Sequence, residues 1–217
     1  MPSISQDGRY IAFESTATDI GPGSSGSQIF VRDRQSGTTE IVSVVSGTLG
    51  SGQGNGTSHN PSISSDGRYI VFESLSTNLV ADDNNGHSDI FIHDRQLGTT
   101  ERISVSSTGL EGNDESFCYH QNSISADGQY IIFHSVATNL VSGDNNSTYD
   151  IFVHDRSTGE TRRISTSTIG IEGNNPSLWP SISADGQIKA FSSEASNLVG
   201  NDTNTSWDVF IVHPFNN

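Results

Sequence analysis

Cysteine is nearly absent from this chain. Cys118 is the only one among 217 residues. No intrachain disulfide can form, and cysteine usage assigns no redox compartment. Basic residues are also scarce, with 10 Lys and Arg against 25 Asp and Glu and a formal net charge of −15. Such a surface should repel nucleic acid and anionic membranes, and it suits a soluble protein or one that holds cations. Apolar residues make up 31%, a little under the usual globular share. No apolar run approaches the roughly 18 residues of a membrane helix, so membrane insertion is not expected. No signal peptide is read at the start. Because the chain opens at Met1-Pro2-Ser3, inside a repeated motif, that reading leaves the question of a leader open. Helical periodicity is missing throughout, yet regularly spaced Ile, Val, Phe and Tyr argue against disorder.

What is present is one phrase written four times. Pro2-Ser3-Ile4-Ser5 with Asp7-Gly8 returns as Pro61-Ser62-Ile63-Ser64 with Asp66-Gly67. It returns again as Asn122-Ser123-Ile124-Ser125 with Asp127-Gly128, and as Pro180-Ser181-Ile182-Ser183 with Asp185-Gly186. The starts lie 59, 61 and 58 residues apart, and a fixed period of this size marks a repeat architecture.

Each unit reads as four short strands. In the second, Ser62-Ile63-Ser64 is followed by the Asp66-Gly67 turn and then by Tyr69-Ile70-Val71-Phe72, rich in residues that fit a pleated sheet. A polar loop leads to Asp89-Ile90-Phe91-Ile92-His93. The turn Asp94-Arg95-Gln96-Leu97-Gly98 leads to Thr100-Glu101-Arg102-Ile103. The anchors recur in register: Phe13, Phe72, Phe133 and Phe191 in the second strand, Phe30, Phe91, Phe152 and Phe210 in the third, Val42, Ile103 and Ile164 in the fourth. Four antiparallel strands per repeat predict an all-β fold, a β-propeller. It forms one domain over 1–217 with blade repeats 1–60, 61–121, 122–179 and 180–217. Pro214 stands where the other copies continue with Arg, so the last blade is expected to lack its fourth strand.

These residues resemble the TolB-like β-propeller repeats of bacterial proteins. The shared signature is Pro-Ser-Ile-Ser, Asp-Gly-Arg-Tyr-Ile, then Asp-Ile-Phe-hydrophobic-x-Asp-Arg, and the likeness covers almost the whole chain. It implies a periplasmic or secreted location. Propellers of this kind serve as partner-binding platforms, as gates on peptidases and occasionally as catalytic domains such as oligogalacturonate lyases, so the fold leaves function open.

The short turns share one face of the propeller, and the long second-to-third-strand loops share the other with the inter-blade segments. Binding residues concentrate on such loops. The sharpest pattern there is Asp-x-Asn-x-x-x-Asp, read as Asp83, Asn85, Asp89; Asp144, Asn146, Asp150; and Asp202, Asn204, Asp208. Hard cations take oxygen ligands of this kind, and calcium is the expected ion. The same residues also cap turns by bonding to backbone N–H groups, and the spacing is not that of an EF-hand. The first loop, residues 21–28, carries no carboxylate, which leaves at most three sites.

Gly54-Asn55, Gly112-Asn113 and Gly173-Asn174 in the inter-blade segments read as loop-fixing hydrogen bonders. Near them stand less repetitive aromatics. Tyr119, His120, Tyr149, Trp179 and Trp207 are the candidate ligand-binding residues, for a protein or glycan partner. No His-Glu-x-x-His, nucleophile elbow or phosphate loop is present, and no catalytic residue is assigned. The expectation is therefore a non-enzymatic binding or scaffold module with calcium ordering its loops. The rival is a metal-assisted polysaccharide lyase or hydrolase built from loop His and Asp residues. Because the fourth blade is incomplete, the chain closes as a small ring, joins a second copy in a larger ring as a homodimer, or belongs to a longer protein.

Overall fold

In the computed structural model, residues 1–20, 26–47, 52–119, 122–204 and 206–213 are described. They form four antiparallel sheets in chain order. The first holds β1 (Ser3–Ile4), β2 (Tyr10–Ser15), β3 (Gln28–Asp33) and β4 (Thr38–Ile41); the second holds β5 (Ser58–Ile63), β6 (Tyr69–Ser74), β7 (Asp89–Asp94) and β8 (Thr99–Arg102). The third holds β9 (Ser116–Phe117), β10 (Tyr130–Ser135), β11 (Asp150–Asp155) and β12 (Glu160–Arg163), and the fourth holds β13 (Ser177–Ile182), β14 (Lys189–Ser193) and β15 (Asp208–Val212). Each is a propeller blade, and the fourth has three strands among the described residues; Pro214 lies outside them. Among the described residues no helix is long and apolar enough to cross a membrane.

Two strand readings need correcting. The first strands of blades two and four begin at Ser58 and Ser177, in segments expected to be connections. A buried hydroxyl pair extends them, Ser58 with Ser74 and Ser177 with Ser193, both at 2.9 Å. In blade three, three more residues separate Ser116 from the repeated phrase, so β9 stops at Phe117 and Ile124 makes only an isolated bridge to Ile131. Val42, Ile103 and Ile164 lie one residue beyond the fourth strands and still fill the core.

The core is a set of seams between consecutive blades. Ala12, Ile29, Val31 and Val42 of blade one face Ile63, Ile70, Phe72, Leu79 and Phe91 of blade two. The same positions meet between blades two and three and between blades three and four, and none of these seams joins blade one to blade four. Burial of this apolar area, at about 25 cal/mol per Å², is the main stabilising term. Within each blade the second- and third-strand Phe rings pair across the strands, at 5.5–6.0 Å between centroids.

The short-turn face shows why the repeated phrase recurs. Ser64 Oγ donates to Asp66 Oδ1 at 2.6 Å, and Arg68 N and Tyr69 N donate back to Asp66 and Ser64 at 2.9 Å. Arg68 then forks onto Asp94 with bonds of 3.0 and 2.6 Å. Gly67 has φ +75°, and a Cβ there would stand 2.2 Å from the Tyr10 ring of the preceding blade. The turn glycine thus lets one blade's tyrosine lie flat on the next blade.

Candidate functional site on the long-loop face

Blade two brings Asp83 from its long loop, Asp89 from the start of β7 and Glu111 from the following inter-blade segment to one point. Blade three does the same with Asp144, Asp150 and Glu172. Within each triad the carboxylate oxygens lie within 4.8 Å of one another. A guanidinium from the end of the fourth strand sits beside each. Arg102 Nη1 lies 2.5 Å from Glu111 and 3.7 Å from both Asp83 and Asp89. Arg163 Nη1 lies 2.6 Å from Glu172, 3.2 Å from Asp150 and 3.4 Å from Asp144.

Asp89 is fully buried and accepts from Ser104 Oγ and from Asn85 Nδ2, the latter at 2.9 Å. Burial, opposed by the Ser104 hydroxyl and Arg102, pushes its carboxyl up to about 6. Burial and then the neighbouring Asp150 charge raise Asp144 to about 7. Asp83 and Asp150 are raised too, burial first. Among the described residues the buried Oδ1 of Asp83 has no hydrogen-bond partner. Three carboxylates against one guanidinium leave a formal surplus of two negative charges, so the donor set fits a divalent cation of the hard, oxygen-seeking kind. Both triads can hold a metal ion.

Asn85 and Asn146 reach these loops by another route. Their Oδ1 atoms accept from His87 N and Thr148 N at 2.7 and 3.0 Å. Their Nδ2 atoms donate to Asp89 and Gly112, and to Asp150 and Gly173, all at 2.9 Å. Both amide atoms are used in holding the loop. In blade four, Asn204 Nδ2 reaches Asp208 at 3.4 Å and Asn204 N reaches Asp202 at 3.4 Å. No glutamate or arginine joins that loop among the described residues. Of blade one's loop, residues 21–25 lie outside them.

Blade one shows that the charges form a unit. The positions of Asp89, Arg102 and Glu111 are taken there by Gln28, Ile41 and Gln53, as the strand and bridge registers show. Gln28 keeps the contact with Ser43, which donates to it at 2.6 Å, and the charge is gone from all three positions together. Glu111 and Glu172 were missed in the sequence. The signal for them was this joint replacement across the repeats.

The Gly-Asn segments behave as read. Asn55 exchanges side-chain bonds with Thr77 and takes Asn78 Oδ1 on its N–H, and the pattern repeats at Asn113 and Asn174. Asn139 and Asn197 donate to the carbonyls of Glu111 and Glu172 at 2.7 Å. Each triad is therefore tied to the next blade.

The aromatics divide into two groups. Tyr119 stacks on Phe117 at 5.1 Å, and with Tyr149 it surrounds the buried His134. Trp179 and Trp207 meet at 5.0 Å and stay 45% and 38% exposed. Trp179 has φ +54°, a conformation rare for a bulky residue, at the register shift between Leu178 and Ser181. His120 lies outside the described residues. His93 and His154 are buried on Thr100 and Thr161, and burial lowers both, His93 to about 4.

No protein-family model and no curated protein matches this sequence. Solved structures do match its shape. TolB from Acinetobacter baumannii aligns with 98% of the chain at a TM-score of 0.55 and 21% identity. A putative TolB from Agrobacterium tumefaciens aligns with 97% at 0.52 and 18%, and the tricorn protease with 97% at 0.54 and 16%. The fold is that of a TolB-like β-propeller. The chain spans 40%, 64% and 17% of the length of those three proteins, so the likeness carries the blade architecture and no activity.

Proposed function

We propose that this TolB-like propeller is a non-enzymatic binding scaffold that holds a glycan on its long-loop face, with calcium ordering the loops of blades two and three. The observation that carries the reading is the Trp179–Trp207 pair. Two indoles are left exposed against each other, and one is held in a left-handed backbone that costs about 1–2 kcal/mol in an L-residue. Strain of this kind survives where the surroundings fix it, and it clusters at ligand sites. Asn204 and Ser206, both exposed, stand just before Trp207 in the chain. An apolar ring face with polar edges suits a sugar.

The layout speaks against the lyase or hydrolase reading. The triads stand apart, one in blade two and one in blade three. His59 meets Glu14 at 3.3 Å and stands opposite Glu73 across the strands, and His87 meets Asp114 at 3.7 Å. Among the described residues no histidine joins a triad. Calcium of extracellular concentration fits a periplasmic or secreted setting, which belongs to the same reading.

A glycan array probed with the whole chain, followed by tryptophan fluorescence titration, is the test. We expect saturable binding to at least one glycan class, weakened at least tenfold by Trp207→Ala. A blank array with unshifted fluorescence refutes the glycan site. Calorimetric titration of chelator-treated protein tests the ion separately: no heat and no change in melting temperature at millimolar calcium refutes it.

A further inference from the structure

The triad arginines are held differently from the arginines of the short-turn face. Arg9 and Arg68 fork onto Asp33 and Asp94, each with two bonds, from Nε at 3.0 Å and from Nη2 at 2.7 and 2.6 Å. Arg102 and Arg163 instead bring one nitrogen, Nη1, to three carboxylates. Arg102 Nη1 meets Glu111, Asp83 and Asp89, and Arg163 Nη1 meets Glu172, Asp150 and Asp144. Each Nη1 therefore lies in the space that the three side chains share. A calcium ion needs that same space, because its oxygen ligands sit about 2.3–2.6 Å from it. Guanidinium and ion exclude each other there, by volume and by like charge.

The guanidinium fills that space incompletely. Among the described residues the Nε atoms of Arg102 and Arg163 are buried without a hydrogen-bond partner, and so is Oδ1 of Asp83. The side chains of Arg102 and Asp83 are 8% and 3% exposed. Buried polar atoms left unpaired carry a desolvation cost that a better-matched occupant of the triad recovers. One further bond holds each arginine, from Arg102 Nη2 to Asp82 O at 3.0 Å and from Arg163 Nη2 to Gly143 O at 3.1 Å. Asp82 and Gly143 come just before Asp83 and Asp144, so each arginine also clasps the loop that supplies one of the three carboxylates.

We propose that Arg102 and Arg163 are built-in competitors for their triads: calcium enters each site by exchange, and the guanidinium swings out as the ion goes in. This rests on the calcium reading and adds its regulation. The resident guanidinium offsets part of the triad's negative charge while no ion is bound. It also lowers the apparent calcium affinity by the fraction of molecules whose arginine is already out. The sites then fill in the millimolar range of extracellular modules and stay empty at lower concentration. Exchange frees Asp82 O and Gly143 O as well, so the hold on each loop passes from the arginine to the ion.

Calorimetric titration of the chelator-treated whole chain with calcium tests this, and the second triad serves as the control for the first. In Arg102→Met we expect one site to bind at least about tenfold tighter and the other to stay unchanged. With Arg163→Met added, both should tighten. Equal affinity in the wild type and both variants overturns the exchange and leaves the calcium reading standing. No heat from any of the three refutes the calcium reading and the exchange with it. Binding by the variants alone supports the competitor and removes calcium from the wild-type protein. If the variants fail to fold, the wild type still decides: a crystal structure with calcium in the triads should show both guanidinium groups outside them. An ion seated with Nη1 still among the carboxylates overturns the proposal.

Discussion

Replacing Arg102 by Met tests whether the blade-two triad is an electrostatic unit. Met keeps much of the side-chain volume and removes the charge. Arg102 is 8% exposed and sits beside three carboxylates, two of them nearly or fully buried. Breaking a buried ion pair by removing one partner costs roughly 3–5 kcal/mol. The lower end applies here. Glu111 is 20% exposed, and Asp89 keeps Ser104 and Asn85. About 3 kcal/mol lowers the melting temperature of a chain of this size by about 6–12 °C.

The loss should also depend on pH. Asp89 titrates at about 6 in the folded protein against an ordinary 3.8. A raised carboxyl pKa means that the folded state binds a proton the unfolded state has released, so stability falls as pH climbs from about 4 toward 6. Without Arg102 the ionised triad is worse still. The drop should therefore be largest at pH 8 in chelator and smaller at pH 5, where Asp89 carries a proton. Calcium at about 1 mM, the upper end for extracellular modules, should recover part of the loss at pH 8 and little of it at pH 5. Thermal melts followed by circular dichroism read all four conditions. A drop below about 2 °C at pH 8, or equal drops at both pH values, refutes the idea that the guanidinium balances buried charge.

Other substitutions isolate single features. Ser104→Ala takes the hydroxyl from Asp89 and from Ile90 N and should cost about 2 kcal/mol by urea denaturation. Gly67→Ala puts a Cβ into the Tyr10 ring at positive φ and should cost about 3 kcal/mol, whereas Gly86→Ala, with positive φ and open space, should cost about 1. Trp179→Gly relieves the left-handed strain, so it should leave stability equal or about 1 kcal/mol higher while abolishing glycan binding. Simultaneous loss of stability would mean that the indole is packing and not a platform.

The blade was legible because its devices are local. Asp66-Gly67 states its turn within two residues, and the period of Phe72 and Phe91 states which strands pair. The triads were half legible for a physical reason. Asp83 and Asp89 share a loop, but Glu111 reaches them from a segment after β8, and only the fold makes that approach close. Comparing repeats with one another recovers it: Asp89, Arg102 and Glu111 stand together, as do Asp150, Arg163 and Glu172, while Gln28, Ile41 and Gln53 are neutral together. A carboxylate kept for turn capping alone need not change along with a residue on another strand. Joint replacement is what a shared charge balance requires, because a lone Arg or a lone Glu left in that buried corner would be unpaired. Asn85 shows the opposite limit. Its side chain offers both a ligand oxygen and a turn-capping amide, and only the positions of His87 N and Gly112 O show that both atoms are engaged in the loop. The strain at Trp179 leaves no mark in residue type either. Asn60, which tolerates a left-handed backbone, occupies the same place in blade two at φ +53°. An indole in a position that elsewhere takes asparagine reads as an oddity in the sequence, and as a displayed surface only when its backbone and exposure are seen together.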